Sequence, residues 1–152
     1  MHTAPAETIT QLNAVLRQKL TGINQYFLHA RILKHQGKVE FADYIYRTSI
    51  DAMKFSDMLV ELILSLGGMP NMQDMGALMI GDTPQRMLEG DMAHAETTLM
   101  HIRAALAACQ ADGQTRAAEL LARMQESQQE HMQALRGLMN AASFSPQAKD
   151  CA

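Results

Sequence analysis

Apolar residues recur three and four positions apart in four long stretches of this chain, the period of an amphipathic helix. The first stretch runs from about Pro5 to Gln36, with Ile9, Leu12, Leu16, Leu20, Ile23, Phe27 and Ala30 on one face. Gly37 stops it. The second runs from about Glu40 to Leu66, with Phe41, Ile45, Ala52, Phe55, Leu59, Ile63 and Leu66 inward, and Gly67-Gly68 and Pro70 end it. Residues 67 to 84 are punctuated by Gly and Pro and keep no period, so they read as a long loop. Asp82-Thr83-Pro84 starts a third helix that reaches about Asp112, with Leu88, Ala95, Leu99, Ile102 and Leu106 inward. Asp112-Gly113 is a turn, and a fourth helix runs to about Ala142 on Ala117, Leu121, Met124, Met132, Leu135 and Met139. Short breaks make antiparallel neighbours of helices one and two and of three and four. The long link makes the chain cross the bundle between helices two and three.

Composition narrows the class. A chain of 152 residues is expected to form a single domain, and 47% apolar residues suffice for a core. With 5% aromatics, no Trp and thirteen Met, that core is aliphatic and adaptable. A net charge of -3 gives no electrostatic footprint for nucleic acid. No apolar run approaches the roughly 18 residues of a membrane span, and residues 1 to 10 lack the apolar centre of a signal peptide. Cys109 and Cys151 are too few and too far apart for a disulfide framework. A cytoplasmic setting is the resulting expectation.

Two features go beyond a plain bundle. On the second helix Tyr46, Ile50, Met53, Val60 and Leu64 form a second apolar stripe, turned away from the stripe centred on Ala52. Asn24, Leu28 and Arg31 similarly flank the core face of the first helix. A helix with two apolar faces meets either another subunit or a cofactor, and spacing alone favours the seam between subunits. On the third helix Asp91 and His94 have carboxylate–imidazole spacing, but the helical angle turns His94 away from the core. Glu126 and Glu130 also fall off the core face and read as surface charge, with an iron site on a cavity wall as the alternative.

The run Ile23-Asn24-Gln25-Tyr26-Phe27-Leu28-His29-Ala30-Arg31 resembles the first helix of the bacterioferritins. The run Gly68-Met69-Pro70-Asn71-Met72-Gln73-Asp74-Met75-Gly76, followed by Ile80-Gly81, resembles the loop before their crossover. The resemblance spans about residues 10 to 140. It implies an all-α, ferritin-like four-helix bundle that assembles into a hollow cage of twenty-four subunits around a ferric mineral core. The family's short fifth helix has no match in the polar tail of residues 143 to 152.

The resemblance also assigns residues. Ferritin-like di-iron centres take a Glu from each of two helices and a Glu-x-x-His pair from each of the other two. The matching positions here are Lys19, Ala52, Phe55, Ala95, Gln128 and His131, and of these only His131 is an iron ligand of ordinary kind. No intrinsic di-iron centre is therefore expected. A lone His in a bundle is more often a hydrogen-bonded core residue than a ligand. Lys19 is expected to hydrogen-bond Gln128 or to pair with Asp91. By contrast, the family's haem-ligating methionine matches Met53, within Ile50-Asp51-Ala52-Met53-Lys54. The haem-pocket positions are Leu20, Ile23, Asn24, Phe27, Tyr46, Ile50 and Met72. The resemblance implies one haem b per twofold dimer, with one thioether from each subunit.

The reading that follows is a haem-carrying cage subunit without its own ferroxidase site. It is expected to co-assemble with a ferroxidase-competent bacterioferritin subunit and to pass electrons from a ferredoxin-type donor to the core for iron release. Two alternatives stand beside it: a homopolymeric cage that stores iron slowly, and a haem-binding or structural assembly with no iron-core function.

Overall fold

The computed structural model describes residues 4–144. Four α-helices make up the architecture: α1 (Ala6–His35), α2 (Val39–Ser65), α3 (Pro84–Ala111) and α4 (Thr115–Phe144). The helix ends follow the expected ones closely, except that α4 continues two residues past Ala142. The expected polar tail and absent fifth helix fall mainly on residues 145–152, which with Cys151 lie outside the described residues.

The same device stops the first three helices. Gly37, Gly67 and Gly113 adopt φ of 77°, 82° and 70°, where a side chain would be strained. That conformation lets the next amide reach back five residues. Lys38 N–H donates to the Leu33 carbonyl, Gly68 to Ile63 and Gln114 to Cys109, each at 2.9 Å, so the last carbonyls are satisfied. At the start of α3, Thr83 Oγ1 accepts from the Arg86 N–H at 3.1 Å and Pro84 takes the first helical position.

Residues 66–83 form the long link, and α1 holds it in place. Asn13 donates to the Met69 carbonyl and accepts from the Asn71 N–H. Thr21 Oγ1 accepts from Gly76 N–H at 2.8 Å, Gln25 Oε1 from Met79 N–H at 2.9 Å and His29 Nε2 from Gly81 N–H at 3.1 Å. Gln36 donates to the Asp82 carbonyl. From position 13 to position 36, at 1.5 Å per residue, the link travels roughly 35 Å along α1. It therefore crosses the whole bundle, and α2 and α3 start at the same end. A loop without secondary structure must pair its backbone elsewhere, and the polar side chains of α1 supply the partners.

The interior has two apolar clusters with a polar layer between them. One cluster holds Leu12, Leu16, Leu59, Ile63, Ile102, Leu121 and Met124; the other holds Leu33, Ile45, Met87, Leu88, Leu99 and Leu135. The inward stripes of α2, α3 and α4 follow the expected residues, with Phe41, Phe55, Leu66, Leu106 and Met139 only partly buried. The first helix needs a correction. Its buried face runs through Leu12, Val15, Leu16, Lys19, Gly22, Tyr26, Ala30 and Leu33, while Leu20 and Ile23 are half-buried and Phe27 is 45% exposed. The link covers the Thr21–Gln25–His29 side of α1. That rotates the apolar flank of Leu20, Ile23 and Phe27 outward, beside α2. Among the described residues no helix is long and apolar enough to cross a membrane.

Candidate functional site

The polar layer encloses a cavity of about 410 Å³ at the middle of the bundle. All four helices reach it: Lys19, Gly22 and Tyr26 from α1, Tyr44, Ala52 and Phe55 from α2, His94 and Thr98 from α3, Gln128 and His131 from α4. Spacings of three and four put each group on a single helical face. The fold thus brings five of the six family-matched positions to one cavity. Ala95, the sixth, is fully buried, and its carbonyl accepts from Gln128 Nε2 at 3.2 Å.

With its amide nitrogen committed to Ala95, Gln128 turns Oε1 toward Lys19, whose Nζ donates to it at 3.2 Å. The ammonium also lies 5.1 Å from the centre of the Phe55 ring. Burial pushes the Lys19 pKa down to about 8, with the Asp51 carboxylate opposing the shift. Of the two partners expected for Lys19, the structure selects Gln128.

His131 lies between two phenols. Its Nδ1 is 2.8 Å from the Tyr44 hydroxyl and its Nε2 is 3.1 Å from the Tyr26 hydroxyl. A neutral imidazole satisfies both by donating to one and accepting from the other. Burial holds it neutral, pushing its pKa down to about 3, with the positive charge of Lys19 adding to the shift. Both ring nitrogens are occupied, as in a hydrogen-bonded core histidine.

His94 corrects the sequence reading. It is buried and lines the cavity rather than facing away. The missing signal was Gly22 on the facing helix: a Cβ there would come within 3.1 Å of His94 Nε2 and 3.2 Å of the Tyr26 ring. A glycine opposite makes room that a projection of α3 alone does not reveal. Thr98 Oγ1 is 3.4 Å from His94 Nε2, and burial pushes the His94 pKa down to about 4.

Asp91 belongs to a separate buried unit. Its Oδ1 accepts from Gln25 Nε2 at 3.0 Å and lies 2.8 Å from His29 Nδ1. Because His29 Nε2 accepts from Gly81, the ring proton sits on Nδ1 and is donated to Asp91. Burial raises the Asp91 pKa, and its bonds to His29 and Gln25 pull it back. Sequence reasoning missed this unit. Its visible sign was a run of polar residues at helical spacing on α1: Gln18, Thr21, Gln25 and His29.

Outside the bundle, α1 and α2 present a continuous apolar flank. Met53 is 52% exposed and Tyr46 39% exposed, with Leu28 and Leu64 also exposed and Ile50 and Val60 half-buried; Met72, on the link, is exposed as well. The Phe27 and Tyr46 rings lie 6.4 Å apart, and the Arg31 guanidinium stands 5.2 and 5.5 Å from their centres. Asn24 is exposed and donates to Met75 Sδ at 3.5 Å. Among the described residues no three His, Cys, Asp or Glu side chains are grouped to hold a metal ion. Glu126 and Glu130 are exposed, although Glu130 reaches the rim of the central cavity.

Comparison with known proteins agrees with this architecture. Residues 9–143 match the ferritin family model, a ferritin-like domain. The chain is 33% identical over 126 residues to a bacterioferritin of Mycobacterium bovis, covering 83% of this chain and 79% of that one. It is 33% identical over the same shares to bacterioferritin BfrA of Mycobacterium tuberculosis. A bacterioferritin of Rhodobacter capsulatus is 38% identical over 104 residues, covering 68% of this chain and 65% of that one. With four helices, one long crossover and sequence similarity along most of its length, the chain belongs to the bacterioferritins of the ferritin-like family.

Proposed function

We propose that this chain is a bacterioferritin-type iron-storage subunit that binds haem through Met53 and lacks a di-iron oxidising site of its own. The observation that carries the reading is the Lys19–Gln128 bond beneath Phe55 at the centre of the bundle. An iron pair needs several hard oxygen donors there, and a protonated amine repels cations and cannot ligate. Ala52 and Ala95 bring methyl groups, Phe55 fills volume, and the nitrogens of His131 already serve Tyr26 and Tyr44.

The residues of the α1–α2 flank, with Met72 of the link, fit a haem. Met53 offers an exposed thioether, a soft neutral donor suited to both oxidation states of haem iron. Leu20, Ile23, Phe27, Tyr46, Ile50 and Met72 would pack on the porphyrin and exclude water from it. Asn24 is the polar member of the set. A twofold axis would place a second Met53 opposite the first, giving one haem b per dimer. When bound, the haem supplies a one-electron carrier through the shell.

In this reading the chain assembles into a cage of twenty-four subunits around a ferric mineral core. A co-assembled, ferroxidase-competent bacterioferritin subunit oxidises Fe(II). A ferredoxin-type donor supplies the electrons that release it again. Met53→Leu tests the assignment, since a volume-conserving swap usually costs less than about 1.5 kcal/mol and should leave the assembly intact. The variant is expected to lose haem absorbance and to release iron more slowly under a reduced donor. Unchanged haem content and spectra would reduce Met53 to a seam residue. In stopped flow, the pure chain should show no fast saturable phase of about two iron ions per subunit, the stoichiometry of a di-iron site. Slow iron accumulation by the pure chain would instead point to a homopolymeric store.

A further inference from the structure

The central cavity borders an amine whose neighbours use it only in part. Lys19 is buried, and among the described residues the hydrogen-bond partner of Nζ is Gln128 Oε1. The close ion pairs among those residues are Arg17 with Asp74 and His29 with Asp91, so neither neutralises Lys19. Phe55 covers one side of the ammonium, and the cavity of about 410 Å³ lies on another. A water molecule's share of liquid volume is about 30 Å³, so a small molecule fits beside the amine. Arg47 and Asp51, both exposed, are on the cavity lining, so the space communicates with solvent.

We propose that Lys19 is a carbon dioxide site, where the side-chain amine is carboxylated to a carbamate. The lone pair of neutral Nζ attacks the carbon of CO2. An N–C bond forms, one C–O π pair moves onto oxygen, and nitrogen releases a proton to solvent. R–NH2 and CO2 thus give R–NH–COO⁻ and H⁺, with no oxidant, reductant or metal.

The step requires the neutral amine, and burial supplies it. With the Lys19 pKa near 8, about half the amine is neutral at pH 8, roughly a hundredfold more than for an ordinary lysine. Other groups on the lining keep fixed charges at that pH. His94 and His131 are neutral, with pKa values pushed down to about 4 and 3, and the Tyr26 and Tyr44 hydroxyls are held protonated by burial. Asp51 and Glu130 oppose a new anion, whereas Arg47 favours it. The Thr98 hydroxyl gives its proton to the His94 carbonyl at 2.8 Å, and the side-chain amide of Gln18, which lines the same space, offers a donor to the carbamate oxygens.

The test uses the intact protein equilibrated with ¹³C-labelled bicarbonate at pH 8. Triethyloxonium converts carbamates to stable esters, and peptide mass spectrometry locates them. The trapped label at Lys19 should exceed that at exposed Lys34 and Lys54 by at least about tenfold, a cautious fraction of the difference in neutral amine. At fixed CO2 pressure it should grow from about pH 7 to 9, as the neutral fraction rises through the Lys19 pKa. Asp51→Asn should increase it by removing an opposing charge. A ¹³C carbamate resonance in the intact protein should vanish in Lys19→Arg, which keeps the cation but has no nucleophilic amine. Label at Lys19 equal to that at Lys34 and Lys54 would overturn the proposal. So would its absence while the Asp and Glu side chains of the same sample are esterified.

Discussion

Nζ of Lys19 lies 3.2 Å from Oε1 of Gln128, and this bond joins the first and last helices across the middle of the bundle. It is a buried charge held by a neutral amide. Such an arrangement costs desolvation that one hydrogen bond only partly offsets.

The pair should therefore behave asymmetrically under mutation. Gln128→Leu alone leaves the ammonium without its acceptor and should destabilise by about 1–3 kcal/mol. Lys19→Met with Gln128→Leu removes both polar groups and should be near neutral or stabilising. Thermal melts of the single and double variants measure this. A double variant less stable than either single would mean that the pair does more than occupy space.

Acid should weaken the fold through the two cavity histidines. Burial, helped by the charge of Lys19, pushes His94 down to about 4 and His131 to about 3. In the unfolded chain each takes up a proton near pH 6.5. Between these values the unfolded state binds more protons, so stability is complete above about pH 6.5 and falls as pH drops toward 4 and 3. The loss should be on the order of a few kcal/mol. Asp91 acts in the opposite sense, since its raised pKa lets the folded state take a proton first. Melting curves from pH 7 to 4 should slope downward, and His94→Gln with His131→Gln should flatten them.

Gly22→Ala sets two effects against each other. Alanine in a helix interior gains about 1 kcal/mol over glycine. The new Cβ, however, meets His94 Nε2 at 3.1 Å and the Tyr26 ring at 3.2 Å. Overpacking of this kind typically costs about 1–3 kcal/mol, so the single variant should be destabilised or at best neutral. In a His94→Ala background the same change should be more favourable by about 1 kcal/mol. A double-mutant cycle by chemical denaturation gives the coupling.

The His29–Asp91 pair should govern one part of the crossover. His29→Leu leaves the buried carboxylate with Gln25 alone and the Gly81 N–H without its acceptor. The expected cost is about 3 kcal/mol. Amide hydrogen exchange should accelerate at Gly81 and much less at Gly76, which Thr21 holds independently. Equal acceleration at both would mean that the link opens as one unit.

The helices and their order were legible in the sequence because the apolar period and the glycine stops are local signals. The ferritin-like crossover was legible too, since a long unpatterned segment between two helix pairs leaves few ways to close a bundle. The family-matched positions also came from sequence, and the fold brings Lys19, Ala52, Phe55, Gln128 and His131 to one cavity. Phe27 was misread as core because it shares the period of Leu16 and Ile23. Its exposure depends on which side of α1 the link covers.

What the sequence determined by itself is the set of amphipathic helices, where they stop, and which side chains lie at the chemically decisive positions. Those properties depend on neighbours within a turn or two along one chain segment. Tertiary structure decided the pairings. It gave Lys19 to Gln128 and not to Asp91, and gave Asp91 to His29. It turned His94 into the cavity opposite Gly22 and placed His131 between Tyr26 and Tyr44. Each of these depends on the rotation of one helix against another. The buried hydrogen bonds and the volumes of residues far apart in sequence fix that rotation, and no local pattern encodes it.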